Sequence, residues 1–83
     1  LEPAVAFGKV LRQLRQEAGL TQEQLGFEAD LRRTYISSLE LGEKQPSLTT
    51  ILKLAAALGC SAADLIANVE LEVSKIRRRK TSP

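Results

Sequence analysis

Apolar residues along this chain recur at intervals of three and four, and single glycines cut that rhythm into short segments. This is the pattern of packed amphipathic helices. Phe7, Val10, Leu11, Leu14 and Ala18 form the first stripe. Pro3 suits a first turn, where its missing N–H costs nothing, and Gly19 suits a helix end, so a helix is expected over residues 4–18. Thr21 with Gln24 three residues on reads as a capping box, followed by inward-facing Leu25 and Ala29. Gly26 in mid-helix costs up to about 1 kcal/mol relative to alanine, which points to a close approach of the next helix. Asp30 and Leu31 form the turn. A third helix runs from about Arg33 to Leu41, with Ile36 and Leu39 inward, and Gly42 stops it.

After a polar loop over Glu43–Pro46, Ser47 caps a fourth helix with Leu48, Ile51, Leu52, Ala55 and Leu58 as its buried stripe. Gly59 ends that helix. Ser61 caps a fifth, and Asp64 is expected to complete a second capping box. The last segment is open to two readings. Ile66, Val69, Val73 and Ile76 fit a helix, whereas Val69, Leu71 and Val73 alternating with polar residues fit a strand. The helix, ending near residue 76, is favoured because nothing breaks the run after Ser61. Residues 77–83 are expected to be a disordered basic tail.

The length, 83 residues, allows one domain, taken as residues 1–76 with the tail at 77–83. The aromatic side chains are only Phe7, Phe27 and Tyr35, and there is no Trp or Met. The core must come from Leu, Ile, Val and Ala, with no long β-branched runs, so an all-α class is expected. Five of the 12 basic residues lie in KIRRRK, residues 75–80, leaving seven against 10 acidic residues elsewhere. An anionic partner would therefore need a locally basic face rather than a basic average. The tail is either a solubility aid or a source of non-specific phosphate contacts.

Enzymatic chemistry has little to stand on. There is no histidine to activate Ser37 or Ser38. Glu70 and Glu72 adjoin no metal-ligand cluster, and no cofactor or metal is expected. The single cysteine, Cys60, excludes an intramolecular disulfide and reads as core filler. No signal peptide is visible, and no run approaches the roughly 18 apolar residues of a membrane span. A cytoplasmic protein is expected.

The segment LTQEQLGFEADLRRTYISSLE, residues 20–40, is two short helices joined by a tight turn, the second with a polar leading end. A helix pair of this kind is suited to the DNA major groove. Together with FGKVLRQLRQEAGLTQEQL, RTYISSLELGEKQPSL and KLAAALGCSAADLI, it resembles the lambda-repressor-like, or XRE-type, helix-turn-helix family over residues 7–66. RTYISSLE is also similar to the controller proteins of restriction–modification systems. The resemblance implies a five-helix domain with the helix-turn-helix at the second and third helices. Asp30 stands where the family usually has glycine, and Asp tolerates the left-handed conformation well. Arg32 occupies the usual capping position of the third helix but cannot accept a hydrogen bond.

The resemblance also implies roles. Gln22 aligns with a phosphate-binding residue at a helix N-terminus. Arg33, Thr34 and Ser38 align with base-contacting positions, and Arg32 lies beside them; arginine can grip guanine through two hydrogen bonds. Tyr35 and Ser37 are better placed for phosphate or groove-edge contacts, and Lys44 and Gln45 in the following loop for the phosphate backbone of the opposite strand. Arg15 and Glu40 align with a structural ion pair.

The expected partner is double-stranded DNA carrying an inverted repeat. An excess of apolar residues on the last helix, notably Leu65, Ile66, Val69 and Val73, points to a homodimer about a two-fold axis. Glu28 or Glu43 could serve as a surface for RNA polymerase. The leading expectation is a sequence-specific transcription regulator. The alternative is a protein-interaction module, such as an antitoxin or adaptor.

Overall fold

In a computed structural model each apolar segment forms a helix: α1 (Pro3–Glu17), α2 (Gln22–Ala29), α3 (Arg33–Glu40), α4 (Leu48–Leu58) and α5 (Ala62–Thr81). The structure describes residues 2–81, with side chains through residue 75. No strand occurs among the described residues, so the alternation at Val69–Val73 belongs to a helix. The architecture is an all-α five-helix domain of the lambda-repressor-like type. Packing of α1 on α3 and α5, of α2 on α3 and α4, and of α4 on α5 gathers all five helices around a shared core.

The first four helices end by one device. The N–H of the residue that follows each left-handed residue reaches back to a carbonyl five residues earlier, in Leu20→Arg15, Leu31→Gly26, Glu43→Ser38 and Cys60→Ala55 (2.8–3.1 Å). This ending requires a residue of positive φ. Gly19, Gly42 and Gly59 supply it in three cases, and Asp30, at φ 56° and ψ 48°, supplies it in the fourth. The left-handed turn of the helix pair is therefore made by an aspartate, as the sequence suggested.

The helix starts follow local chemistry. Gln24 N–H donates to Thr21 Oγ1 (3.1 Å) and Thr21 N–H donates to Gln24 Oε1 (2.8 Å), a complete capping box. Ser47 Oγ accepts from Thr50 N–H. Arg32 sits at the start of α3 with no side-chain cap. The second capping box expected at α5 is only half formed. Asp64 N–H donates to Ser61 Oγ (3.0 Å), but no reciprocal bond is present among the described residues. The Asp side chain is one methylene shorter than the Glu or Gln of a capping box.

The core holds Phe7, Val10 and Leu11 of α1, Leu25 and Ala29 of α2, Ile36 and Leu39 of α3, Leu54 and Ala55 of α4, and Leu65 of α5. Three expectations need correction. On α4 the buried leucine is Leu54, whereas Leu48 is 73% and Leu52 52% exposed. This helix is apolar on more than one side, so periodicity alone leaves its rotation undetermined. Ala18 is exposed because it lies at the helix cap, beyond the packed stretch. The last helix does not stop near residue 76. It continues to Thr81, through a run of arginines and lysines that favour helix and contain no Gly or Pro.

Two glycines mark close backbone crossings. A Cβ at Gly8 would overlap the carbonyl oxygens of Leu39 and Glu40, where α1 crosses the end of α3. A Cβ at Gly26 would lie 2.6 Å from the Leu31 carbonyl oxygen. The expected close approach at Gly26 is thus made by the turn that leads into α3.

Candidate nucleic-acid interface

The tight turn over Asp30–Arg32 sets the N-terminus of α3 beside α2. Gln22, Arg33, Thr34 and Ser37, drawn from the first turn of α2 and the first two turns of α3, line one shallow hollow. Gln22 and Arg33 also line an adjoining hollow with Arg15, Thr21 and Glu23. Arg33 and Thr34 are exposed, and Ser37 and Ser38 are half-buried. The Ser38 hydroxyl donates to the Thr34 carbonyl (3.1 Å), which commits its proton and leaves its oxygen able to accept. Arg32 is exposed but lines a different hollow, with Gly26, Phe27, Asp30 and Leu31, on the side of the turn.

Behind this surface lies an ion pair. Arg15 Nε donates to Glu40 Oε2 (2.6 Å) and Arg15 Nη2 to Glu40 Oε1 (3.0 Å), a two-bond fork. Such forks combine charge with fixed geometry. The hydrogen bond to Glu40 raises the Arg15 pKa above its ordinary value, against the opposing pull of burial. Arg15 Nη1 also donates to the Leu20 carbonyl (2.8 Å), tying the end of α1 to the start of α2. The structural pair expected from the sequence is present. It has a third member that sequence reading missed: Gln22 Nε2 donates to Glu40 Oε1 (3.1 Å). An amide nitrogen carries two hydrogens, so the second remains free for an external acceptor.

The other phosphate candidates gather around Tyr35. Its hydroxyl lies 3.2 Å from Thr50 Oγ1, at the start of α4. Lys44 Nζ is 5.9 Å from the centre of the Tyr35 ring, within cation–π range. Gln45 is exposed in the same loop. Thr50 and Ser47 carried no sequence signal for a role at this surface, because their link to Tyr35 spans two helices.

Of the residues expected at a dimer interface, Leu65 is fully buried in the domain's own core and is unavailable to a partner. Val69 packs against that core, and Val69 and Val73 line a shallow groove beside Pro3. Ile66 is exposed. Further exposed apolar side chains are Phe27, Leu41, Leu48, Leu52 and Leu71. Cys60 is partly buried. Burial pushes its thiol pKa up and the Asp64 carboxylate adds to the effect, both favouring the protonated thiol.

Among the described residues, no three His, Cys, Asp or Glu side chains are arranged to hold a metal ion. No single helix among them is long and apolar enough to cross a membrane.

Comparison with known proteins places this geometry. A helix-turn-helix family model matches residues 11–65. The chain is 46% identical over 61 residues to the control protein C.BamHI of Bacillus amyloliquefaciens, covering 72% of this chain and 75% of that one. It is similar to the crystal structure of the restriction-modification controller protein C.AhdI from Aeromonas hydrophila, with a TM-score of 0.75 and 43% identity over 78% of this chain and 98% of that one. The controller protein C.Esp1396I, solved as a tetramer in complex with its natural 35 base-pair operator, matches with a TM-score of 0.80 and 25% identity over 88% and 96% of the two chains. The chain belongs to the XRE-type helix-turn-helix family of DNA-binding regulators, and within it is controller-protein-like.

Proposed function

We propose that this regulator binds operator DNA as a homodimer, with α3 of each protomer in the major groove of one half-site of an inverted repeat. The observation that carries the reading is the shared open surface of Gln22, Arg33, Thr34 and Ser37 at the paired N-termini of α2 and α3. A helix N-terminus offers unpaired N–H groups to phosphate, and a recognition helix presents its leading residues to base edges. In this reading Arg33, Thr34 and Ser38 read bases, with Arg32 beside them at the turn. Gln22 holds phosphate through its free amide hydrogen. Tyr35, Ser37, Lys44 and Gln45 complete the phosphate clamp. The similarity to a controller protein solved on its operator supports the same docking.

The two-fold axis falls on exposed apolar residues. Ile66 stays a candidate; Leu65 is replaced by the exposed Leu48 and Leu52 of α4. Glu28 and Glu43, both exposed beside the motif, are the surface offered to RNA polymerase. Residues 1–76 act as the DNA-binding domain. The side chains of residues 77–83 lie outside the described ones, and a basic tail there would add sequence-blind phosphate contacts.

Selection from random duplex DNA by the purified protein, followed by sequencing, tests the reading. An inverted repeat with half-sites about one helical turn apart is expected. Recovery of no motif, with weak salt-sensitive binding only, would overturn it. A second reading, an interaction module that works through a protein partner, is favoured by Phe27, which is 86% exposed on α2. Substitutions on α3 that abolish DNA binding and spare partner binding separate the two.

A further inference from the structure

Thr50 is the only polar residue among the buried side chains described, with 6% exposure. Its hydroxyl oxygen has two partners. Ser47 Oγ donates to it from 3.1 Å, and Tyr35 Oη lies 3.2 Å away. Ser47 Oγ in turn accepts from the Thr50 backbone N–H at 3.1 Å. A hydroxyl carries one proton and two lone pairs. Since the Ser47 proton is directed at Thr50 Oγ1, the Thr50 proton must go elsewhere, and Tyr35 Oη is the acceptor at hand. The reverse direction would leave the proton of a buried hydroxyl without an acceptor, which is costly.

The direction of this chain matters at the DNA. When Thr50 donates to Tyr35, the phenolic proton is released to point outward. When Tyr35 donates to Thr50, the oxygen turns only lone pairs toward an anionic phosphate. We propose that Thr50, oriented by Ser47, is a positioning residue that holds Tyr35 as a hydrogen-bond donor to the DNA backbone. Lys44 Nζ lies over the Tyr35 ring, 5.9 Å from its centre. A hydroxyl chain of one direction strengthens each member by polarisation, so the phenol becomes a better donor. The start of α4 thereby takes part in DNA binding without touching DNA. The inference rests on the reading that Tyr35 contacts phosphate.

The test compares the full chain with Tyr35→Phe, Thr50→Val, Thr50→Ser and the Tyr35→Phe/Thr50→Val double variant. Binding is measured on the selected inverted repeat, or on mixed-sequence duplex at low salt if none is recovered. Circular dichroism and unfolding midpoints confirm the fold of each variant. Tyr35→Phe is expected to weaken binding about tenfold on all sequences alike, the loss of one hydrogen bond to a charged group. Thr50→Val should weaken it by a similar factor. Thr50→Ser, which keeps the hydroxyl, should bind like the parent, and it serves as the decisive variant if Thr50→Val fails to fold. The double variant should bind within about twofold of Tyr35→Phe, because both changes remove the same donor.

Parent-like affinity in a folded Thr50→Val would overturn the proposal, as would losses that multiply in the double variant or a Thr50→Ser that binds as weakly as Tyr35→Phe. Parent-like affinity in Tyr35→Phe would remove the phosphate role of Tyr35, and this proposal with it, while the selection result would stand unaffected.

Discussion

Arg33 is the residue on which sequence discrimination turns in the proposed complex. It is exposed, its head is engaged in no ion pair among the described residues, and it borders both hollows at the helix N-termini. Arg33→Ala should lower specificity at one base pair of each half-site by about 1–3 kcal/mol, measured as relative affinity across single-base operator variants. An equal loss on every sequence would make Arg33 a phosphate contact instead. The roles proposed for Gln22 and Glu40 are harder to separate by substitution. The resemblance pointed to each residue by its place in the motif. Their hydrogen bond, between positions 18 apart, was invisible in the sequence, because no local spacing rule links the start of α2 to the end of α3.

At the scale of the elements, α3 begins without a cap. Arg32 occupies the position where Ser, Thr, Asp or Asn would accept a backbone N–H. Arg32→Ser should therefore raise stability by about 0.5–2 kcal/mol in denaturant titrations while weakening DNA binding. A variant stabilised without loss of affinity would show that Arg32 has no part at the interface. The crossing of α1 over α3 makes the opposite case at Gly8. Alanine normally gains up to about 1 kcal/mol over glycine in a helix. Here the added methyl meets backbone oxygens of Leu39 and Glu40, which no side-chain rotation can move aside. Gly8→Ala is expected to lower stability by about 1–3 kcal/mol, as overpacking does, and an unchanged unfolding midpoint would contradict the crossing geometry.

For the whole molecule, the question is which apolar residues serve the domain and which serve a partner. Leu65 and Ile66 are neighbours in sequence with opposite expectations. Leu65→Ala should cost about 2–5 kcal/mol in folding, as cavity formation in a core does. Ile66→Lys should leave folding close to the parent and shift the protein toward monomer in sedimentation equilibrium, with weaker operator binding. A dimer unaffected by Ile66→Lys would move the two-fold axis away from this part of α5.

The difference between Leu65 and Ile66 also marks how far the sequence reaches. Thr21 with Gln24, Asp30 in the left-handed turn, and the glycines that close α1, α3 and α4 act through bonds between residues a few positions apart. Local spacing therefore determined where these helices begin and end, and the motif they compose determined the family. Burial is different, because it depends on where other helices lie. On α4, Leu48, Leu52 and Leu54 are chemically alike, and only packing against α2 and α5 sends Leu54 inward and leaves the other two outside. The same holds for the hydroxyl chain from Ser47 through Thr50 to Tyr35. Helix placement fixes it, and the residues bear no mark of it until α3 and α4 are brought together.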